Sequence, residues 1–371
     1  MARCFAEWGH EPLTGIRDLA RHLDISIGTV SRALNDKGDV NPLTRVRVRE
    51  AAAKLGYSPN QSGRSLRRGR TDLVGVIIPT GSDSVVINAV FLSVLDGLRR
   101  KLSERRLDLA IFLHGPDEEL FGSLRRLTER GLVDGVIIAD TQHIDPRIDY
   151  LIEEQKPFVA FGRSLSGGAH PWVDPDFEAA VEGAVGHLVE LGHRRIGLML
   201  PLGETHFYHL ILESWRNALG RRGIEADSSW VQRRPVGEFG GYDAGEALMA
   251  LSPRPTAILV SEALQTIGLY RKLAEGGRLP GRDVSIIGVF PEARVRSLSP
   301  GLTAFVTDWT ATGARLGEAL IGALANGASA PEKVGADTAP RPPSPMQVIV
   351  PATFQAGESV HRIERPDVRP S

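Results

Sequence analysis

IRDLARHLDISIGTVSRALND, residues 16–36, is the stretch on which the reading of the fold turns. Ile16, Leu19, Ala20 and Leu23 recur at the spacing of one helical face, and Thr14 stands where an N-cap belongs. Asp24 and Ile25 leave only a tight connection before Ser26, a hydroxyl N-cap for a second short helix with Val30, Ala33 and Leu34 inward. NPLTRVRVREAAAKLG, residues 41–56, predicts a third helix, with Asn41 as N-cap, Pro42 in the first turn and Gly56 as the stop. Two short helices joined by a tight turn, then a third, make a helix-turn-helix pattern over residues 14–58.

The charge of the chain is divided unevenly around this module. The net charge over 371 residues is only −1. Residues 14–70 nevertheless hold twelve Lys/Arg against five Asp/Glu, an excess of seven positive charges that leaves the remainder with an excess of eight negative ones. A basic module on an acidic body points to a polyanionic partner for the first segment alone. Residues 59–71 follow as a linker. In YSPNQSGRSLRRGRTD, Ser58 can cap and Pro59 can start a helix, but Leu66 is almost the only apolar residue and Gly63 weakens any helix. So short a helix is marginal in water and is expected to form only on a template.

From residue 72 the texture changes to apolar strands alternating with amphipathic helices: DLVGVIIP, LDLAIFLH, VDGVIIAD, PFVAFGR, RRIGLMLP, TAILVS and VSIIGVF, with helical segments between them. That alternation predicts parallel sheets covered on both faces, and its length favours two α/β lobes over one core. The expected core is residues 72–351, with lobe 1 at 72–173 and 304–335 and lobe 2 at 174–303 and 336–351. Residues 352–371 are expected to be a partly disordered tail.

Other classes find little support. The single cysteine, Cys4, requires no oxidising compartment. No apolar run approaches the ~20 residues that cross a bilayer, and the N-terminus has no apolar signal core, so a cytoplasmic, nucleoid-associated location and no membrane partner are expected. There is no Gly-x-Ser-x-Gly elbow, no phosphate-binding Walker loop and no usable cysteine nucleophile. No catalytic residue and no cofactor is expected. His206 and His209, at i and i+3, lack a third ligand at metal spacing, so no metal site is assigned and His206 is grouped with the cleft.

In order and spacing, IRDLARHLDISIGTVSRALND, VNPLTRVRVREAAAKLGYSPNQSGRSLRRGRTDLVGVIIP, LVELGHRRIGLM, PTAILVS and PGRDVSIIGV resemble the LacI/GalR family of bacterial repressors to about Pro351. The resemblance implies an N-terminal helix-turn-helix headpiece and hinge helix, then a two-lobed α/β core like the periplasmic binding proteins. It also implies a homodimer on palindromic double-stranded operator DNA, controlled by a small ligand, expected to be a mono- or oligosaccharide. Residues 26–34 then resemble the recognition helix, giving Ser26, Ile27, Gly28, Thr29, Ser31, Arg32 and Asn35 as DNA-contacting candidates. Thr29 and Ser31 suit phosphate oxygens, and Arg32 suits guanine or the backbone. Ile27 and Gly28 depart from the family at two base-reading positions, so no known operator carries over. In the family a hinge leucine wedges into a minor-groove step; Leu66 occupies that position, with Arg67 beside it for phosphates.

The family binds its effector between the lobes. Arg163 ends the strand VAFGR, and HPWVDPD supplies Trp172, Asp174 and Asp176: guanidinium, indole and carboxylates suited to a polyhydroxyl ligand. Phe91 matches an apolar position at the mouth of lobe 1, and Glu262 stands where the family often has Asn. Ile211 replaces a common Arg, and Phe290-Pro291 replaces a common acid pair, which leaves room for an unusual saccharide, a non-sugar metabolite or a protein co-effector.

Overall fold

Residues 15–34, 38–57, 70–79, 89–115, 120–327 and 344–363 are described by the computed structural model. They belong to two units that divide between Thr71 and Asp72.

In the first unit, α1 (Ile16–Leu23) starts from an extended Gly15 with no side-chain cap; Thr14 lies outside the described residues. It ends at Asp24, whose left-handed φ of 52° returns its N–H to the last-turn carbonyls. The hydroxyl of Ser26 accepts from Thr29 N at 3.1 Å and so caps α2 (Ile27–Leu34). Asn41 Oδ1 accepts from Leu43 N at 2.9 Å at the head of α3 (Pro42–Lys54), and Gly56, at φ 63°, turns the chain after it. Leu19, Val30, Ala33 and Val48 are fully buried together, so the three helices share one small core. The expected linker, 59–71, falls outside the described residues except for Arg70 and Thr71.

The second unit holds two six-stranded sheets. The first contains β1 (Leu73–Pro79), β2 (Asp108–His114), β3 (Gly135–Ile138), β4 (Phe158–Phe161), β5 (Trp172–Pro175) and β11 (Gln347–Val350), all parallel, in the order β2-β1-β3-β4-β5-β11. The second contains β6 (Ile196–Pro201), β7 (Val231–Arg234), β8 (Ala257–Val260), β9 (Ser285–Val289), β10 (Thr303–Val306) and β12 (Thr353–Gln355), in the order β7-β6-β8-β9-β10-β12. Only β12 is antiparallel. The first five strands of each sheet follow one winding, so each lobe has a switch point where crossovers change face: between β1 and β3, and between β6 and β8.

Helices cover both faces. In lobe 1, α4 (Ala89–Ser103) and α12 (Trp309–Gly327) pack on one side and α5 (Leu120–Glu129) and α6 (Pro146–Glu153) on the other. In lobe 2, α7 (Phe177–Glu190) and α8 (His206–Gly220) face α9 (Glu238–Ala250) and α10 (Ala263–Glu275) across the sheet, with the single turn α11 (Ala293–Arg296) after β9. Helices α4 and α12 cross closely enough that a Cβ on Gly97 would strike the Thr310 carbonyl and one on Gly313 the Val94 carbonyl.

The sheets correct the expected lobe boundaries. Strand β10 hydrogen-bonds into the second sheet, so residues 304–306 leave lobe 1; β5 and β11 pair in the first sheet, so residues 174–175 and 347–350 leave lobe 2. The chain passes between lobes at 175–177, 306–309 and 350–353. Residues 352–363 are not a loose tail: β12 pairs with β10, and Ser359 is wholly buried, its hydroxyl donating to Ile286 O at 2.6 Å. Residues 364–371 lie outside the described residues.

Candidate functional site

On α2, Ile27, Gly28 and Arg32 are exposed, whereas Thr29 and Ser31 are half-buried. The Ser26 and Thr29 hydroxyls lie 2.8 Å apart, so part of their polar capacity serves the helix start. Arg32 sits 3.5 Å from Asp39 in an exposed ion pair of little energetic weight. Two other headpiece arginines brace loops: Arg45 donates to Val40 O and Arg47 to Leu23 O. Asn35, Leu66 and Arg67 lie outside the described residues.

In the second unit, a cavity of about 180 Å³ opens at the carboxyl ends of strands from both sheets. Its lobe 1 wall comes from the ends of β1, β3, β4 and β5, and its lobe 2 wall from the segments after β8 and β9. Parallel sheets leave their ligand space there, because the connections diverge at the strand ends. Phe91, Arg163, Asp174 and Glu262 of the expected residues line it.

Arg163 Nε donates to Asp174 Oδ2 at 2.6 Å, and its Nη2 donates to Glu178 Oε2 at 2.7 Å. Burial pushes the Asp174 carboxyl up to about 6, against the pull of the Arg163 charge. Asp140, at the end of β3, has a left-handed φ of 53° and is likewise shifted upward by burial. Its carbonyl accepts from Arg147, which pairs with the fully buried Asp145. Glu262 caps α10, accepting from Leu264 N at 3.0 Å and Gln265 N at 2.6 Å.

Three expected residues are not brought to the cavity. Trp172 opens β5, two residues short of Asp174 on the same face, so it stays below the strand ends that border the cavity; its ring packs near Ile77 and Phe158 under the Arg163 guanidinium, 5.7 Å away. Asp176 caps α7 through Ala179 N. His206 starts α8 and is buried against His143 of lobe 1, with Nδ1 atoms 2.9 Å apart. Burial, then the His143 and Arg163 charges, hold it down at about 4. No group of three or more His, Cys, Asp and Glu among the described residues is placed to hold a metal ion.

The aromatic wall is instead a set from which sequence reading named only Phe290, and that only as a departure from the family. Phe161 meets Trp309 edge-on at 6.5 Å, Trp309 meets Phe290 at 5.8 Å, Phe290 meets Phe177 at 5.1 Å, and Phe177 stacks on Phe207 at 5.4 Å. All five line the cavity. Trp309 packs on the cores of both lobes. Their signal was position: each lies at a strand end or lobe crossing, in VAFGR, PDFEAA, GVFPEA and TDWTAT, or at the head of α8 in THFYH.

Residues 15–60 match the model of bacterial regulatory proteins of the lacI family, and residues 185–342 match a periplasmic binding protein-like domain. Over 341 residues the chain is 33% identical to the HTH-type transcriptional regulator AglR of Rhizobium meliloti (strain 1021), spanning 88% of this chain and 95% of that one. The chain belongs to the lacI family. It is 34% identical over 276 residues to the HTH-type transcriptional regulator RafR of Escherichia coli, across 74% of this chain and 81% of that one. The fold matches the transcriptional regulator CelR–cellobiose complex, with TM-score 0.68, 24% identity and coverage of 93% and 99%. It also matches the lac repressor dimer bound to operator and the anti-inducer ONPF, with TM-score 0.79, 20% identity and coverage of 94% and 99%. As a lacI-family member with this headpiece and core, the protein is a DNA-binding transcriptional regulator. No helix among its described residues is long and apolar enough to cross a membrane.

Proposed function

We propose that this regulator is a cytoplasmic repressor of carbohydrate uptake or catabolism genes. It acts as a homodimer on a roughly palindromic operator, and a mono- or oligosaccharide in the cleft sets its operator affinity. The observation that carries the reading is the cavity at the strand ends, where aromatic faces and carboxyl groups converge from both lobes. Such a lining suits a ring with an apolar face and hydroxyl edges. A related fold in complex with cellobiose supports the same ligand class. The cleft binds its ligand and carries out no reaction on it.

In this reading α2 enters the major groove with Ile27 against base methyls and Arg32 against guanine or phosphate. Ser26, Thr29, Ser31 and Asn35 serve the backbone, and Leu66 wedges into a minor-groove step with Arg67 beside it on phosphates. Homodimerisation is supported by β2, the edge strand of its sheet among the described residues, where Ile111 and Leu113 are 47% and 63% exposed; an apolar edge strand calls for a partner. Selection of duplexes from a random pool by the full-length protein tests the reading. Two inverted half-sites should emerge, with affinity falling steeply in salt, and a saccharide should shift that affinity. A single half-site bound at full strength by a monomer would overturn the dimer.

A further inference from the structure

Arg163, just beyond the end of β4, reaches two carboxyl groups that lie on either side of a lobe crossing. Its Nε donates to Asp174 Oδ2 at 2.6 Å, and its Nη2 donates to Glu178 Oε2 at 2.7 Å. Asp174 belongs to β5 of lobe 1, and Glu178 to the first turn of α7 in lobe 2. The chain between them, 175–177, is one of the three crossings. Hinge motions are absorbed by a few residues at such places, so a contact that ties residues 174 and 178 to one side chain limits the turn.

The two arms of this contact are unequal. Asp174 is wholly buried, so breaking its arm would strand a buried carboxylate, and Arg163 is anchored on lobe 1. The Trp172 ring of β5, 5.7 Å from the guanidinium, backs it on the same lobe. The Glu178 side chain is instead 43% exposed, and an exposed pair is weak and screened by salt. Of the ion pairs among the described residues, this is the one whose partners lie in different lobes. Backbone bonds also join the lobes, His206 N to Thr141 O at 2.8 Å and His143 N to Glu204 O at 3.2 Å, but these carry no net charge for salt to screen.

We propose that Arg163 and Glu178 form a releasable clasp over the crossing at 175–177, anchored on lobe 1 through Asp174 and restraining lobe 2 through Glu178. Arg163 also lines the cavity, so the restraint on the crossing ends in the ligand space. Asp176 lies inside the crossing, and its N–H donates to Val350 O, at the start of another crossing, at 2.9 Å. Exchange of that amide reports how often the crossings part.

The test is hydrogen exchange of the full-length protein at pH 8, followed by mass spectrometry over residues 174–181. In about 50 mM salt, Glu178→Gln should speed exchange there about threefold, the scale of an exposed ion pair, and leave peptides from β3 and β8 unchanged. In about 1 M salt the wild type should rise to the variant's rate, because the Glu178 arm is then screened. Glu178 also stands in the first turn of α7, where an acid suits the helix dipole, so the substitution is repeated in Arg163→Met. A clasp makes Glu178→Gln silent in that background. A dipole role leaves its effect intact there and would overturn the proposal. Equal exchange in the wild type and Glu178→Gln at low salt would overturn it as well.

Discussion

Asp174 is 1% exposed, and Arg163, its hydrogen-bonded counter-charge, is 23% exposed at the side chain. Removing the guanidinium leaves a buried carboxyl with two choices, an unpaired charge or a proton. Arg163→Met should therefore destabilise the core by about 2 kcal/mol at pH 8, below the full cost of breaking a wholly buried pair because the Arg is partly solvated. The sign with pH follows from Asp174 itself. Its folded value is already raised to about 6 and rises further without Arg163, so the group stays protonated at pH 5 in both proteins. The penalty should shrink between pH 8 and pH 5 in denaturant titrations; a penalty that grows on acidification would contradict the pairing. On α2, Arg32→Ala should leave stability unchanged, since its pair with Asp39 is exposed. It should cost about 1–3 kcal/mol on the selected operator if the side chain reads a base. Equal losses on operator and random duplex, measured by anisotropy, would reduce it to a phosphate contact. Residue chemistry was legible where it is local, as at the Ser26 and Asn41 caps. Trp172 was misplaced because it shares its face with Asp174 but opens β5, and only the carboxyl end of the strand reaches the cavity; HPWVDPD alone does not say where the strand begins.

At the scale of elements, the segment after β12 acts as a strap on lobe 2. Ser285 Oγ lies 3.0 Å from both His193 Nε2 and His361 Nδ1, and Thr303 N donates to Ser359 Oγ at 2.9 Å. His193 is fully buried, and burial holds it down at about 4 from an ordinary 6.5, reinforced by the His361 and His187 charges. His206, at the lobe junction, is lowered to a similar value. The unfolded chain takes up protons at these histidines below about pH 6.5, and the folded chain does not until about pH 4. Stability from this pair is thus complete above pH 6.5 and lost as pH falls through the window, opposing the smaller Asp174 contribution. Urea unfolding from pH 7 to pH 5 should show a falling midpoint, flattened in His193→Gln. An unchanged slope in the variant would remove His193 from the account. The strand–helix alternation was legible because central strands such as β3, β6, β8 and β9 are buried on both faces and read as continuous apolar runs. Sheet membership was not, because β11 finds β5 across some 170 residues of chain, and nothing local in QVIV names its neighbour.

At the scale of the molecule, two lobes of one winding place their strand ends around a shared cavity, and three chain crossings join them. A ligand that touches both walls favours the arrangement in which they are closest, and through the crossings it biases the state of the whole core. The aromatic wall could have been anticipated from the rule that ligands sit at the carboxyl ends of parallel strands; its exact members depend on where the crossings run. Ligand control of DNA binding is the central claim, and thermodynamic linkage makes it testable in both directions. The deciding measurement is calorimetry of a saccharide that binds the full-length dimer, with and without the selected operator duplex. The saccharide constant should change with operator present, and the operator constant should change by the same factor with saccharide present. Identical saccharide constants in the two titrations would contradict the account.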